Sequence, residues 1–193
     1  MGILKKFQYN SPVILTYTIM AFAAVVIGYL TNGAANALLF SVYRSSLTEP
    51  LFYIRLVGHV FGHGDFGHYF NNFIIILLIG PMLEEKYGSK NLALLMLVTS
   101  ICTGILHILL FKTALLGASG IVFFMILLAS YANFERGRIP ITLILVIIIF
   151  LGREIISSFL ITDDIARITH VFGGVIGAVS GYFYNNNKLS LRK

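Results

Sequence analysis

The apolar residues of this chain gather into six runs divided by short polar stretches, most of them close to the roughly 20 residues that a bilayer-spanning helix needs. The runs cover Pro12 to Leu30, Gly67 to Leu83, Asn91 to Phe111, Leu115 to Asn133, Pro140 to Leu151 with a few following residues, and Ile168 to Tyr184. They predict an all-α membrane protein, a bundle of six transmembrane helices. The connection between the first two runs is long and mixes Tyr43, Arg44, Glu49, Pro50 and Phe52. That mixture reads as an interfacial, partly embedded loop.

Composition agrees with the pattern. Of the 193 residues, 58% are hydrophobic and 11% charged, and the mean hydropathy is +0.88, far from the balance of a soluble domain. No internal repeat or linker appears. The expected organisation is one six-helix domain over 12–184 between short tails at 1–11 and 185–193. The formal charge of +6 does not imply a nucleic-acid partner, because scattered Lys and Arg on a hydrophobic chain mark cytoplasmic loops. With the N-terminus inside, nine basic residues fall on the cytoplasmic segments and five on the outer ones. Both termini are therefore expected in the cytoplasm. Lys5, Lys6 and the Ala35-Asn36-Ala37 pattern offer a rival reading of the first run as a signal peptide, but the run exceeds a normal signal core. The single cysteine, Cys102, excludes an intramolecular disulfide.

This topology makes a parity argument possible. The second, fourth and sixth spans all enter from the outer face, and the polar residues cluster at their N-terminal ends. His68 and Asn72 open the second span, Ser119 opens the fourth in "GASG", and His170 opens the sixth in "ITHVFGG". Counted from Asp65, Lys112 and Asp164 at a helical rise, Asn72, Ser119 and His170 each lie roughly 10 Å below the outer surface. Polar groups at that depth must face protein or a wet cavity. Gly173, Gly177 and Gly181 form two overlapping GxxxG spacings, a stripe that admits a neighbouring backbone. If the neighbour is the fourth span, where Gly117 and Gly120 flank Ser119, the Ser119 hydroxyl and the His170 ring come within hydrogen-bond reach. The stripe alone is common in membrane helices and marks no site.

The chemistry of such a group is nucleophilic. Serine needs a base, and neutral histidine is the usual one. The Ser119 N–H, at a helix start, together with His68 and Asn72 four residues apart on one helical face, can donate to a developing oxyanion. Asp163 and Asp164 precede His170 by too many residues to contact its ring, so a Ser-His dyad with modest turnover is expected. A competing reading takes His59 and His63, spaced i, i+4, with His68 as metal ligands, but Val60 stands where a metalloprotease needs Glu. No metal and no cofactor are therefore expected. His107 has no evident partner in the sequence. A transporter is a further alternative, though its polar residues belong at the midplane rather than near one face.

Taken in order, "RLVGHVFGHGDFGHYFNN" from Arg55, "EEKYGS", "GASG" and "HVFGGVIG" resemble the rhomboid intramembrane serine proteases, over roughly residues 52 to 184. The resemblance implies Ser119 as nucleophile, His170 as general base, and His68, Asn72 and the Ser119 N–H as the oxyanion hole. It also implies structural support from Arg55, His59 and His63 around the first long loop, and from Glu84 at the cytoplasmic end of the second span. The fifth span and the Arg153 to Arg167 loop would gate substrate entry. Two departures stand out. Ile54 replaces the Trp that often precedes the loop arginine, which puts the anchoring of that loop in question, and Phe123 replaces a Tyr four residues after the nucleophile, keeping a ring to stack on His170 without its hydroxyl. The implied substrates are single-span or other membrane proteins, cut in or near a transmembrane segment with a small residue before the bond. The implied location is the plasma membrane of a prokaryote, with the site open to the outer face. A non-catalytic rhomboid-like protein that binds or escorts membrane clients is the alternative.

Overall fold

The computed structural model describes residues 8–131, 138–139, 141–149 and 164–190, with the side chains of the last helix described over 168–184. The described residues form helices α1 (Pro12–Leu30), α2 (Ala34–Leu39), α3 (Pro50–Gly58), α4 (Phe66–Tyr87), α5 (Ser89–Leu110), α6 (Ser119–Ser130), α7 (141–149) and α8 (Asp164–Ser190). Three of them, α1, α4 and α5, are long and apolar enough to cross a membrane, and α6 is a shorter apolar helix. The first expected span coincides with α1. The fifth falls on α7 and continues outside the described residues; of the expected loop from Arg153 to Arg167, 153–163 also lie outside them, while 164–167 already belong to α8. The connection after α1 is more ordered than an interfacial loop need be, since it folds into α2 and α3.

The fourth span departs from its sequence reading. Leu115 does not open a helix: it exchanges backbone hydrogen bonds of 2.9 Å each way with Val42, forming an antiparallel bridge. Gly117 follows at φ +131°, a conformation that favours glycine. The helix then starts at Ser119. Residues 111–118 are therefore not helical, and the helical rise used to place Ser119 from Lys112 does not apply.

Helix directions follow from which ends meet. Along the α6–α8 seam a Cβ at Gly173 would overlap the Gly120 carbonyl, one at Gly177 the Phe124 carbonyl, and one at Gly181 would lie 2.8 Å from Tyr131 Cβ. Positions on the two helices rise together, so α6 and α8 run parallel. Helix α4 runs with them, because His63 just before it meets Ala118 and Tyr87 at its end donates to the Leu128 carbonyl. Helix α1 runs the other way. At its start the Val13 and Ile14 N–H groups each donate at 3.0 Å to the two carboxylate oxygens of Glu84, near the end of α4. A buried carboxyl group thus satisfies two of the donors that any helix N-terminus leaves open. Ser89 adds a third hydrogen bond, 2.7 Å to Glu84 Oε1, and ties in the start of α5.

Removing this carboxylate strands two amides in a buried setting. Glu84→Ala is expected to lose about 1–3 kcal/mol, read as a lower thermal midpoint in detergent, with Glu84→Gln recovering part of the loss. An unchanged midpoint for Glu84→Ala would remove this residue from the role.

Candidate active site

The N-terminal ends of α4, α6 and α8 converge at one end of the bundle, and each brings polar groups that the sequence singles out. Ser119 is the first residue of α6, and its N-cap, Ala118, offers no side-chain cap to the first amides of the helix. Phe123 lies one turn further on the same face. Its ring stacks on His170 of α8 with centroids 4.3 Å apart and an interplanar angle of 12°. His170 in turn lies one turn before Gly173, the residue in contact with the Gly120 carbonyl. Ser119 and His170 thus belong to the same seam of two helices. Thr103 and Thr169, both buried, adjoin Gly120, with methyl groups 3.6 and 3.7 Å from where its Cβ would be.

His68 reaches this region from α4. A Cβ at Gly117 would lie 3.0 Å from His68 Nε2 and 4.0 Å from Ser119 Oγ, so the imidazole and the hydroxyl border the same strip of backbone. Gly117 is consequently required twice, for its φ and for the space the ring fills. Asn72 is buried one turn below His68, and its amide donates to the His68 carbonyl at 3.1 Å. One amide hydrogen remains for another acceptor. Asp65, which enters the sequence reading only as a reference point for depth, caps α4 by accepting the His68 N–H at 2.8 Å. An aspartate just before an apolar run is the available sequence signal for such a cap.

The backbone leading into Ser119 is tethered residue by residue. His107 Nε2–H donates to the Thr113 carbonyl at 2.7 Å, Leu115 pairs with Val42, the Gly117 N–H donates to the His59 carbonyl at 2.9 Å, and the Ala118 N–H donates to His63 Nε2 at 3.3 Å. His107 therefore has a partner, contrary to its isolated look in the sequence. His63 donates from Nδ1 to the Phe61 carbonyl at 3.2 Å, which leaves Nε2 free to accept. His59 donates from Nδ1 to the Leu56 carbonyl at 3.1 Å and faces Thr103 Oγ1 with Nε2 at 3.5 Å. Both histidines direct their nitrogens at separate protein partners rather than at a shared point, and among the described residues no three His, Cys, Asp or Glu side chains converge as a metal site.

The loop before α3 is held by Arg55. This fully buried guanidinium donates to the Tyr43 hydroxyl at 3.0 Å and Ser45 Oγ at 2.8 Å, pairs with Glu49 at 2.9 Å, and lies 4.4 Å above the Tyr43 ring. The exposed Ile54 takes no part, so the loop is anchored without an aromatic residue at that position. The hydrogen bond from Arg55 is the main reason that the Glu49 carboxyl lies below its usual range. Tyr43, Ser45 and Glu49 were not legible as partners, since nothing local in their spacing points to residue 55.

Burial, chiefly, pushes the His59 and His63 imidazoles down to about 4. They are neutral at pH 7, which for His63 is what the Ala118 tether requires. The unfolded chain takes up their protons first, near pH 6.5, so the stability they represent is complete above about pH 6.5 and is lost as pH falls toward 4. Thermal midpoints in detergent should drop across that window, and His63→Gln should flatten the drop by about one proton. A profile level from pH 7 to 4 would contradict this.

A family model described as the Rhomboid domain matches residues 51–187. No curated protein matches the chain.

Proposed function

The chain belongs to the rhomboid family of integral membrane proteins, and we propose that it is an intramembrane serine endopeptidase acting through Ser119 and His170. The observation that supports this most strongly is the parallel α6–α8 seam, with Ser119 one turn from the ring that stacks on His170. In the proposed reaction Ser119 Oγ attacks the substrate carbonyl while His170 accepts the hydroxyl proton. The tetrahedral oxyanion is bound by the Ser119 N–H at the uncapped start of α6, by His68 and by the remaining amide hydrogen of Asn72. Collapse breaks the peptide C–N bond, the leaving amine takes the proton from His170, and the acyl group stays on Ser119. Water, deprotonated by His170, then releases the second product. The stacked Phe123 ring helps to fix the plane of His170.

In this reading the body spans the membrane six times over 12–184, with the tails 1–11 and 185–193 in the cytoplasm and the site open to the outer face of a prokaryotic plasma membrane. Substrates are single-span or other membrane proteins whose helices are weakened at the cut. The converging starts of α4, α6 and α8 support a site near one face rather than at the midplane.

Fluorophosphonate labelling of the protein in detergent tests the proposal. The parent protein should be labelled, Ser119→Ala should not, and His170→Ala should be labelled about 10²-fold more slowly or worse. Equal labelling of parent and both variants, or none of the folded parent, would overturn it and leave a rhomboid-like protein that binds clients without cutting them.

A further inference from the structure

Away from the candidate site, a groove of about 480 Å³ enters the bundle sideways between α1 and α5. Its rim carries Pro12, Met20, Ala93 and Leu97, all exposed, and its floor is Tyr17, Val60, Met96 and Ile121, all buried. Along α5 it runs from Ser89 to Ser100, about 16 Å at the helical rise. Every hydroxyl on its wall is already engaged with protein. Thr16 bonds the Tyr9 hydroxyl at 2.9 Å, Tyr17 donates to the Val60 carbonyl at 2.7 Å, Ser89 to Glu84 at 2.7 Å, and Ser100 to the Leu56 carbonyl at 3.2 Å. What faces the groove is hydrocarbon.

Water finds no polar partners there, and an empty groove forfeits dispersion contacts along its whole wall. The rim belongs to two helices long and apolar enough to cross a membrane, so in the proposed spanning arrangement the open side faces the bilayer. Next in the chain to Ser89, at that end of the groove, is the exposed Lys90, a cation of the kind that attracts lipid phosphates. We propose that the groove holds one acyl chain of a bilayer phospholipid, with the phosphate toward Lys90. The chain packs behind Val60 and Phe61, the two residues that follow His59 in the turn carrying His63, and so braces the segment to which Gly117 and Ala118 are tied.

The test uses the full chain in phosphatidylglycerol vesicles doped with a phospholipid bearing a diazirine midway along one acyl chain. After irradiation, peptides covering residues 12–20 and 89–100 should carry several-fold more label than the exposed Phe70 and Ile74 of α4, and their label should saturate as the probe fraction rises. Ala93→Phe, or the smaller Ala93→Leu, should abolish the excess while leaving the α4 label and the thermal midpoint near parental values. Label that merely follows exposure overturns the proposal, as does an excess undiminished in a folded Ala93 variant. Labelling by a diazirine fatty acid but not by the phospholipid overturns the phospholipid assignment.

Discussion

Two helices in backbone contact set the geometry of this protein. Lipid offers no hydrophobic drive for apolar helices to associate, so they hold together by close packing, and the closest packing needs residues without side chains. Gly173 and Gly177 supply this on α8, one turn apart, and meet the Gly120 and Phe124 carbonyls, also one turn apart, on α6. Matching spacing in matching order makes the helices parallel. It also sets their axial register, and register decides which residues become neighbours near the helix starts. Ser119 precedes Gly120, His170 lies one turn before Gly173, and Phe123 falls where its ring covers the imidazole. A larger residue at either glycine would separate the helices at the level where the proposed chemistry needs them together.

The rest of the bundle holds the start of α6 at that register. Its N-cap, Ala118, has no side chain that could cap the first amides. The preceding residues are tied instead, to Val42, to the His59 carbonyl and to His63. These tethers reach back to a turn that Arg55 helps to anchor and that Tyr17 of α1 grips through the Val60 carbonyl. Buried histidines serve as neutral hydrogen-bonding groups in this scheme. That accounts for a polar cluster in a chain so rich in hydrocarbon without asking each imidazole to titrate.

Much of this was legible in the sequence, for reasons that can be named. A long uninterrupted apolar run makes α1 unmistakable, and Pro12 marks its start to the residue. The starts of α4, α6 and α8 converge, as an alternation of helix direction along the chain leads one to expect. The glycine stripe is a local pattern with one physical use. Where the pattern falls short, the determinant is a contact made only on folding. Leu115 looks like the first residue of a span until Val42 pairs with it, and the capping of α1 by Glu84 joins residues some 70 positions apart. The partners of Arg55 and His107 emerge only once the loops are folded around them.

The central claim, that this seam sets a serine hydroxyl beside a histidine ring, is tested most directly by a reagent that must react with both. An isocoumarin whose ring opens on acylating a serine unmasks a second electrophile within a few ångströms, and peptide mapping by mass spectrometry identifies what that electrophile captures. The account predicts one adduct per chain, bridging the peptides that contain Ser119 and His170, and absent from Ser119→Ala. A bridge from Ser119 to any residue outside α8, or an adduct that persists in Ser119→Ala, would contradict it.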